Sequence, residues 1–116
     1  MKVYKRGMPT EGLAPAGFLR AANAKIYGAE PKDSIRIDAG SLEGPYAVGV
    51  WSVEKGEFDL PYGGTEFVTI LEGRVVVTHG GQSHELGPGD TFFTPKGETV
   101  HWKVLENLKK AFIVIL

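Results

Sequence analysis

Cysteine is absent from the 116-residue sequence, which excludes disulfides, thiolate nucleophiles, thiolate zinc sites and iron–sulfur clusters together. Histidine is scarce, with 3 residues in the whole chain. No charge of one sign dominates: 13 Lys and Arg stand against 14 Asp and Glu, a net charge of -1. The charges mix along the chain without the basic stripe that nucleic acid attracts, so no nucleic-acid partner is expected. No apolar run approaches the roughly 18 residues of a membrane span. The start, Met1-Lys2-Val3-Tyr4-Lys5-Arg6-Gly7, lacks the apolar stretch of a signal peptide, so no membrane partner and a cytoplasmic location are expected. Phosphate loops of the Gly-x-x-x-x-Gly-Lys type and helix-opening Gly-x-Gly-x-x-Gly fingerprints are missing, which removes support for a nucleotide cofactor. None of Ser34, Ser41, Ser52 and Ser83 sits in a Gly-x-Ser-x-Gly elbow, which argues against serine hydrolase chemistry.

What is present is an ordinary globular composition with an excess of turn formers. Hydrophobic residues make up 42% and charged residues 23% of the chain, enough apolar material for one domain with a core of its own. The 16 glycines are about twice the number that a usage of about 7% would give. Residues 1–34 carry Pro9, Gly12, Pro15, Gly17, Gly28 and Pro31 with only brief apolar pairs between them. This segment is expected to be an irregular N-terminal arm, with at most a turn or two of helix between Leu19 and Tyr27, lying across the body of the domain or across a partner subunit. Residues 35–116 form the body.

There the sequence changes to short runs rich in Val, Ile, Phe, Thr and Trp, broken by Gly or Pro, as in an all-β sandwich or barrel. The runs are Ser34–Ile37, Tyr46–Val53, Glu66–Leu71, Arg74–Thr78, Ser83–Leu86, Thr91–Thr94, Thr99–Val104 and Lys110–Ile115. Glu72-Gly73, Gly80-Gly81, Gly87-Pro88-Gly89-Asp90 and Pro95-Lys96-Gly97-Glu98 separate several of them. The two-residue link Glu72-Gly73 predicts a hairpin that makes the strands around Val68 and Val76 antiparallel neighbours. With no alternating helical pattern, the expected fold is a small antiparallel β-barrel or jelly roll, whose interior is lined by every second residue of each strand.

Several segments carry a family resemblance. Pro61-Tyr62-Gly63-Gly64-Thr65-Glu66, Ile70-Leu71-Glu72-Gly73, Gly89-Asp90-Thr91-Phe92-Phe93-Thr94-Pro95-Lys96-Gly97 and Trp102-Lys103-Val104 resemble the two signature segments of the cupin superfamily. Gly49-Val50-Trp51, the Glu66 to Gly73 segment and the Trp102 to Glu106 tail resemble small single-domain cupins similar to the cupin domain of (S)-ureidoglycine aminohydrolase. The resemblance implies a β-barrel, a homodimer and, in metal-bearing members, a cation held by three histidines and a glutamate. In this chain Glu66 and Gly73 keep the spacing of the first signature, but Leu60 and Tyr62, or Asp59 and Pro61 at the longer spacing, stand where two histidines would fall. Gly89, Pro95 and Gly97 match the second signature, and Val100 stands where the third histidine would fall.

The vacated ligand set leads to a site without a classical metal. On the alternation Glu66, Val68, Ile70, the carboxylate faces the barrel interior beside two aliphatic side chains. An unpaired carboxylate there has its pKa pushed upward, which makes Glu66 the candidate general acid or base and the candidate ligand anchor. Trp51, Tyr62, Val100 and Trp102 are the expected pocket walls around it. If Val100 and Trp102 face inward, His101 faces out, and only a bulge would bring it to Glu66 as a divalent-metal pair. His79 and His84, at the Gly80-Gly81 turn, are expected on the surface. The expectation is a small-molecule-binding protein with no cofactor. The alternative is an enzyme related to ureidoglycine aminohydrolase acting on a small nitrogen-containing metabolite, with Glu66 and His101 holding a metal or with metal-free acid-base chemistry. The final run Ala111-Phe112-Ile113-Val114-Ile115-Leu116, apolar on both faces, points to burial against another layer or a second subunit.

Overall fold

The computed structural model describes every residue from Met1 to Leu116. In chain order the elements are β1 (Ala14–Pro15), α1 (Phe18–Ala21), β2 (Lys25–Tyr27), β3 (Asp33–Gly40), β4 (Tyr46–Val53), β5 (Gly56–Pro61), β6 (Thr65–His79), β7 (Gln82–Leu86), β8 (Thr91–Thr94) and β9 (Thr99–Ile115). Every strand pairing is antiparallel. One path of the sheet runs β1-β3-β4-β9-β5-β2, and β6 lies against β9 with β7 and β8 on its other edge. Because β9 pairs with β4, β5 and β6, the sheet curls back on itself, and the fold is the all-β antiparallel barrel expected from the strand pattern.

Three elements differ from that pattern. The hairpin expected at Glu72-Gly73 does not form: Thr65–His79 is one strand, so the segments around Val68 and Val76 follow one another instead of pairing. Gly73 takes φ 88°, and a Cβ there would stand 2.4 Å from the Asn107 carbonyl oxygen. The pairing register of β6 with β9 slips between Ile70 and Val75, so this glycine serves a bulge and not a turn. Likewise, Thr99–Val104 and Lys110–Ile115 are two ends of a single strand. The strand β5, hidden in sequence by its bounding Gly56 and Pro61, fills the edge beside Thr99–Val104.

The bent β6–β9 ribbon therefore spans the barrel. Its one half joins Thr65–Ile70 to Lys110–Ile115, and its other half joins Val75–Thr78 to His101–Val104. Inside the curl, Trp51, Phe58, Val68, Ile70, Val75 and Trp102 are buried in one apolar cluster. At about 25 cal/mol per Å2 of apolar surface removed from water, such a cluster is the main source of stability.

Residues 1–34 contribute to that cluster through Leu19, which is fully buried. Their border with the barrel falls inside β3. The segment is tied down by backbone pairing of β1 with β3 and β2 with β5, and by Lys109, whose Nζ donates to the Met8 carbonyl and to Thr10 Oγ1, each at 3.0 Å.

Candidate functional site

Alternation along β6 places Glu66, Val68 and Ile70 inside the barrel, with Glu66 9% exposed against 52% for its neighbour Phe67. The same rule on β9 turns Lys110, Phe112 and Val114 inward and leaves Ile113 and Ile115 in the open. Lys110 lies opposite Ile70 on one side and opposite Trp51 on the other. Its side chain extends along the interior, toward the β6 end that pairs with Val114, so that Nζ donates to Glu66 Oε1 at 2.8 Å. The carboxylate expected to stand alone is half of a buried ion pair.

Aromatic rings complete the surroundings of the ammonium. Lys110 Nζ lies 4.9 Å from the Trp51 ring centroid, 5.1 Å from that of Trp102 and 5.8 Å from that of Phe112. The negative faces of the rings and the carboxylate together replace the water the cation has lost. Trp51 is itself fixed: its indole Nε1 donates to Asp33 Oδ2 at 2.8 Å. The same carboxylate accepts from the Phe18 backbone amide at 2.9 Å. One buried aspartate thus couples α1 to the tryptophan beneath it.

Between α1 and the barrel strands is a half-open cavity of about 580 Å3. Phe18, Trp51, Leu60, Tyr62, Phe112 and Val114 supply its apolar wall, Glu66 and Lys110 its buried charges, and Gly63, Gly64, Gly97 and Glu98 part of its rim loops. The Tyr62 hydroxyl is buried without a hydrogen-bond partner, as is the Trp102 indole nitrogen. Burial first, and the Glu66 charge second, push the Tyr62 hydroxyl's pKa far up, so it stays protonated throughout the physiological range.

Of the residues expected to form the site, Trp51, Tyr62 and Glu66 come together at the cavity. Val100 and Trp102 do not line it. Trp102 is completely buried, stacked on Phe58 at 5.8 Å and set edge-on to Trp51 at 6.2 Å. Val100 sits opposite Leu60 in the β5–β9 half of the core. Both face inward, as parity requires, but they are buried in the packed core instead of at the cavity.

His101 points outward and never approaches Glu66, so the alternative metal pair of Glu66 and His101 is not assembled. No bulge intervenes at that point of β9 to reverse the alternation. Instead its Nδ1 bonds Asp59 Oδ1 at 2.6 Å and its Nε2 bonds Glu57 Oε2 at 2.7 Å. Tyr27 donates to the second Asp59 oxygen at 2.6 Å. Partial burial works against the imidazolium, but the hydrogen bonds and charges of Asp59 and Glu57 outweigh it and the His101 pKa is raised. His79 bonds the Thr99 carbonyl oxygen and lies 3.5 Å from the Glu98 carboxylate at the cavity rim without lining the cavity itself, and His84 is exposed.

Lys110 is the site residue that sequence reasoning missed. The signal was there: Lys110, Phe112 and Val114 share parity, and the latter two are the apolar residues an interior needs.

The family model of the EutQ-like cupin domain matches residues 40–112. Among solved structures, the EutQ protein of Clostridium difficile superposes with a TM-score of 0.64 at 16% identity, over 74% of this chain and 69% of that one. A cupin superfamily protein of Desulfitobacterium hafniense superposes with a TM-score of 0.63 at 20% identity, over 98% and 99% of the two chains. A DUF861 family protein of Thermotoga maritima is 33% identical over 67% of this chain and 96% of its own, with a TM-score of 0.52. No curated protein matches the chain. The signature glycines and Glu66, the closed antiparallel curl and the matched segment agree: the chain belongs to the family of EutQ-like cupin domains.

Proposed function

We propose that this protein binds a small, predominantly apolar molecule in the cavity between α1 and the barrel, with Glu66 as polar anchor and Trp51, Tyr62 and Phe112 as walls. The observation that carries this reading is a roomy cavity, about 580 Å3, whose buried wall holds one ion pair. Pockets for small ligands combine an apolar lining with a few polar groups that fix orientation.

The metal known from histidine-bearing cupins does not fit these residues. Leu60, Tyr62 and Val100 offer no imidazole at the three matching positions. The remaining position, Glu66, already holds the Lys110 ammonium at 2.8 Å. A second cation at the same carboxylate would meet that charge at close range in a medium that screens it poorly. The lysine takes the place of the ion as the positive centre.

A homodimer belongs to the same proposal. Phe93, Phe67 and Ile113 are direct cross-strand neighbours on the outer face, exposed by 60%, 52% and 41%. Ile115 and Tyr46 continue the strip. A contiguous apolar strip on a sheet's outer face is the kind of surface that a second copy covers.

Thermal-shift screening of neutral small molecules tests the binding reading. Ligands that raise the melting temperature of the unaltered protein lose that effect in Glu66→Ala at a temperature where the variant is still folded. Ligand shifts that persist in the variant would show the anchor to be elsewhere. Phe67→Asp, read by light scattering at micromolar concentration, tests the dimer: the mass is expected to fall from that of a dimer to that of a monomer.

A further inference from the structure

Only one lysine of this chain is both buried and at the cavity. Lys109 is buried too, but points to the opposite face, where it meets Glu72 and the N-terminal segment. Lys2, Lys55 and Lys103 are exposed. Lys110 alone has a carboxylate on its Nζ, apolar walls around it and an open volume in front of it. From this placement we infer that Lys110 is a nucleophile that captures small neutral carbonyl compounds as an imine, with Glu66 carrying the proton. The inference rests on the binding reading above and gives the cavity's ligand a chemical class.

Each step balances with the groups present. Glu66 takes a proton from the Lys110 ammonium along their hydrogen bond, leaving a neutral amine beside a neutral acid. The amine lone pair forms the N–C bond to the carbonyl carbon as the C–O π pair moves to oxygen. One proton then passes from nitrogen to that oxygen to give the carbinolamine. Glu66 returns its proton to the hydroxyl, the C–O bond breaks, and water leaves. The products are an iminium and a carboxylate, the same pair of charges at the same two places as at the start.

Charge conservation is what the site is built for. The rings of Trp51, Trp102 and Phe112, which hold the ammonium at centroid distances of 4.9, 5.1 and 5.8 Å, hold an iminium by the same attraction. Nothing needs to reorganise around the cation. A lysine desolvated in an apolar pocket and paired with an acid-base group is a recognised arrangement for imine formation. The carbonyl compound must itself be uncharged or nearly so, since the charge of Glu66 is already matched by Lys110, the walls are apolar, and the half-buried Glu98 at the rim disfavours an anion.

The test is reductive trapping on the unaltered, folded protein. It is incubated with benzaldehyde and sodium cyanoborohydride and mapped by peptide mass spectrometry against time. Lys110 is expected to be benzylated about tenfold faster than Lys55 or Lys103, a modest share of what positioned proton transfer provides. Under the same conditions 4-carboxybenzaldehyde is expected to label Lys110 more slowly than benzaldehyde does. In Glu66→Gln the advantage of Lys110 is expected to vanish while Lys55 labels as before. Labelling of Lys110 no faster than the exposed lysines in the unaltered protein overturns the inference, and that readout needs no variant to fold. Benzyl alcohol, which has the ring but no carbonyl, separates this from the binding reading. A thermal shift by the alcohol together with a silent Lys110 ends the carbonyl inference and leaves the binding site standing, whereas the absence of both effects counts against the two together.

Discussion

Lys110 on the inner surface of strand β9 and His101 on its outer surface each hold ionic partners across the strands, and the two sites differ in what surrounds them. Inside, Lys110 meets Glu66 with side-chain exposures of 3% and 11%. Outside, His101 is gripped by Asp59 and Glu57 with exposures of 29%, 28% and 40%. The bond lengths are alike and the surroundings are opposite. Water beside the outer cluster solvates each partner when the other is lost, so its bonds serve mainly to fasten β9 to β5 and, through Tyr27, to β2. Behind the inner pair is an apolar core that solvates nothing. There each charge depends on its partner, and the same dependence keeps the Lys110 amine and the Glu66 carboxylate in contact beside the cavity.

Removing one inner partner is expected to have the largest effect. Lys110→Ala or Glu66→Ala leaves an uncompensated charge in the core and is expected to cost about 3–5 kcal/mol, read by urea unfolding. Replacing both at once, Glu66→Leu with Lys110→Met, is expected to recover most of that loss while ligand binding stays absent. If the double variant is as unstable as the singles, the pair is a structural element in its own right and not a functional one held at a cost.

Asp33→Ala comes next. The Trp51 indole and the Phe18 amide lose their common acceptor, and a loss of about 1–3 kcal/mol is expected from unsatisfied buried donors. Because both residues line the cavity, ligand shifts should weaken along with stability, unlike the effect of a change on the outer face.

The smallest effect is expected outside. His101→Ala should cost no more than about 1 kcal/mol, as partly exposed pairs do, and should lose most of that in molar salt. Its pH dependence has a definite sign. The His101 pKa is raised above its ordinary value of 6.5, so its contribution is complete below that value and disappears as pH rises through the higher folded value. Asp59 is held below its ordinary 3.8, chiefly by the Tyr27 hydrogen bond and then by His101. Its contribution is complete above 3.8 and is lost as pH falls through the folded value. Unaltered protein and His101→Ala should therefore differ most between these limits, with their melting curves converging as pH rises through the raised His101 value. A difference that grows with pH would contradict the assigned geometry.

Legibility in the sequence followed the range of the interaction. Side-chain parity needs only the residues of one strand, and it placed Glu66, Val100 and Trp102 inward and His101 outward. Whether an inward residue reaches the cavity depends on what is packed in front of it, which is why Trp51 and Tyr62 line the volume while Trp102, stacked on Phe58, does not. Glu72-Gly73 forms a bulge where the sequence suggests a turn, because a glycine with positive φ suits a tight turn and a strand bulge equally well. The choice between them was made by Asn107 and Leu108 across the ribbon, whose backbone fills the space a Cβ at Gly73 would take. The signature glycines pointed to the superfamily, which the family match bears out, while the finer likeness to ureidoglycine aminohydrolase is not shown by relatives such as the EutQ and DUF861 proteins.

By itself the chain's alternation of apolar and polar residues determined an antiparallel barrel with a carboxylate on its inner surface and no imidazole to accompany it. Only the tertiary structure decided what that carboxylate meets. Glu66 and Lys110 are 44 residues apart, and alternation says which face a side chain takes but not which strand lies beside it. That choice came from the curl of the sheet around β9, where burying the aromatic core brings the two charges within reach of each other.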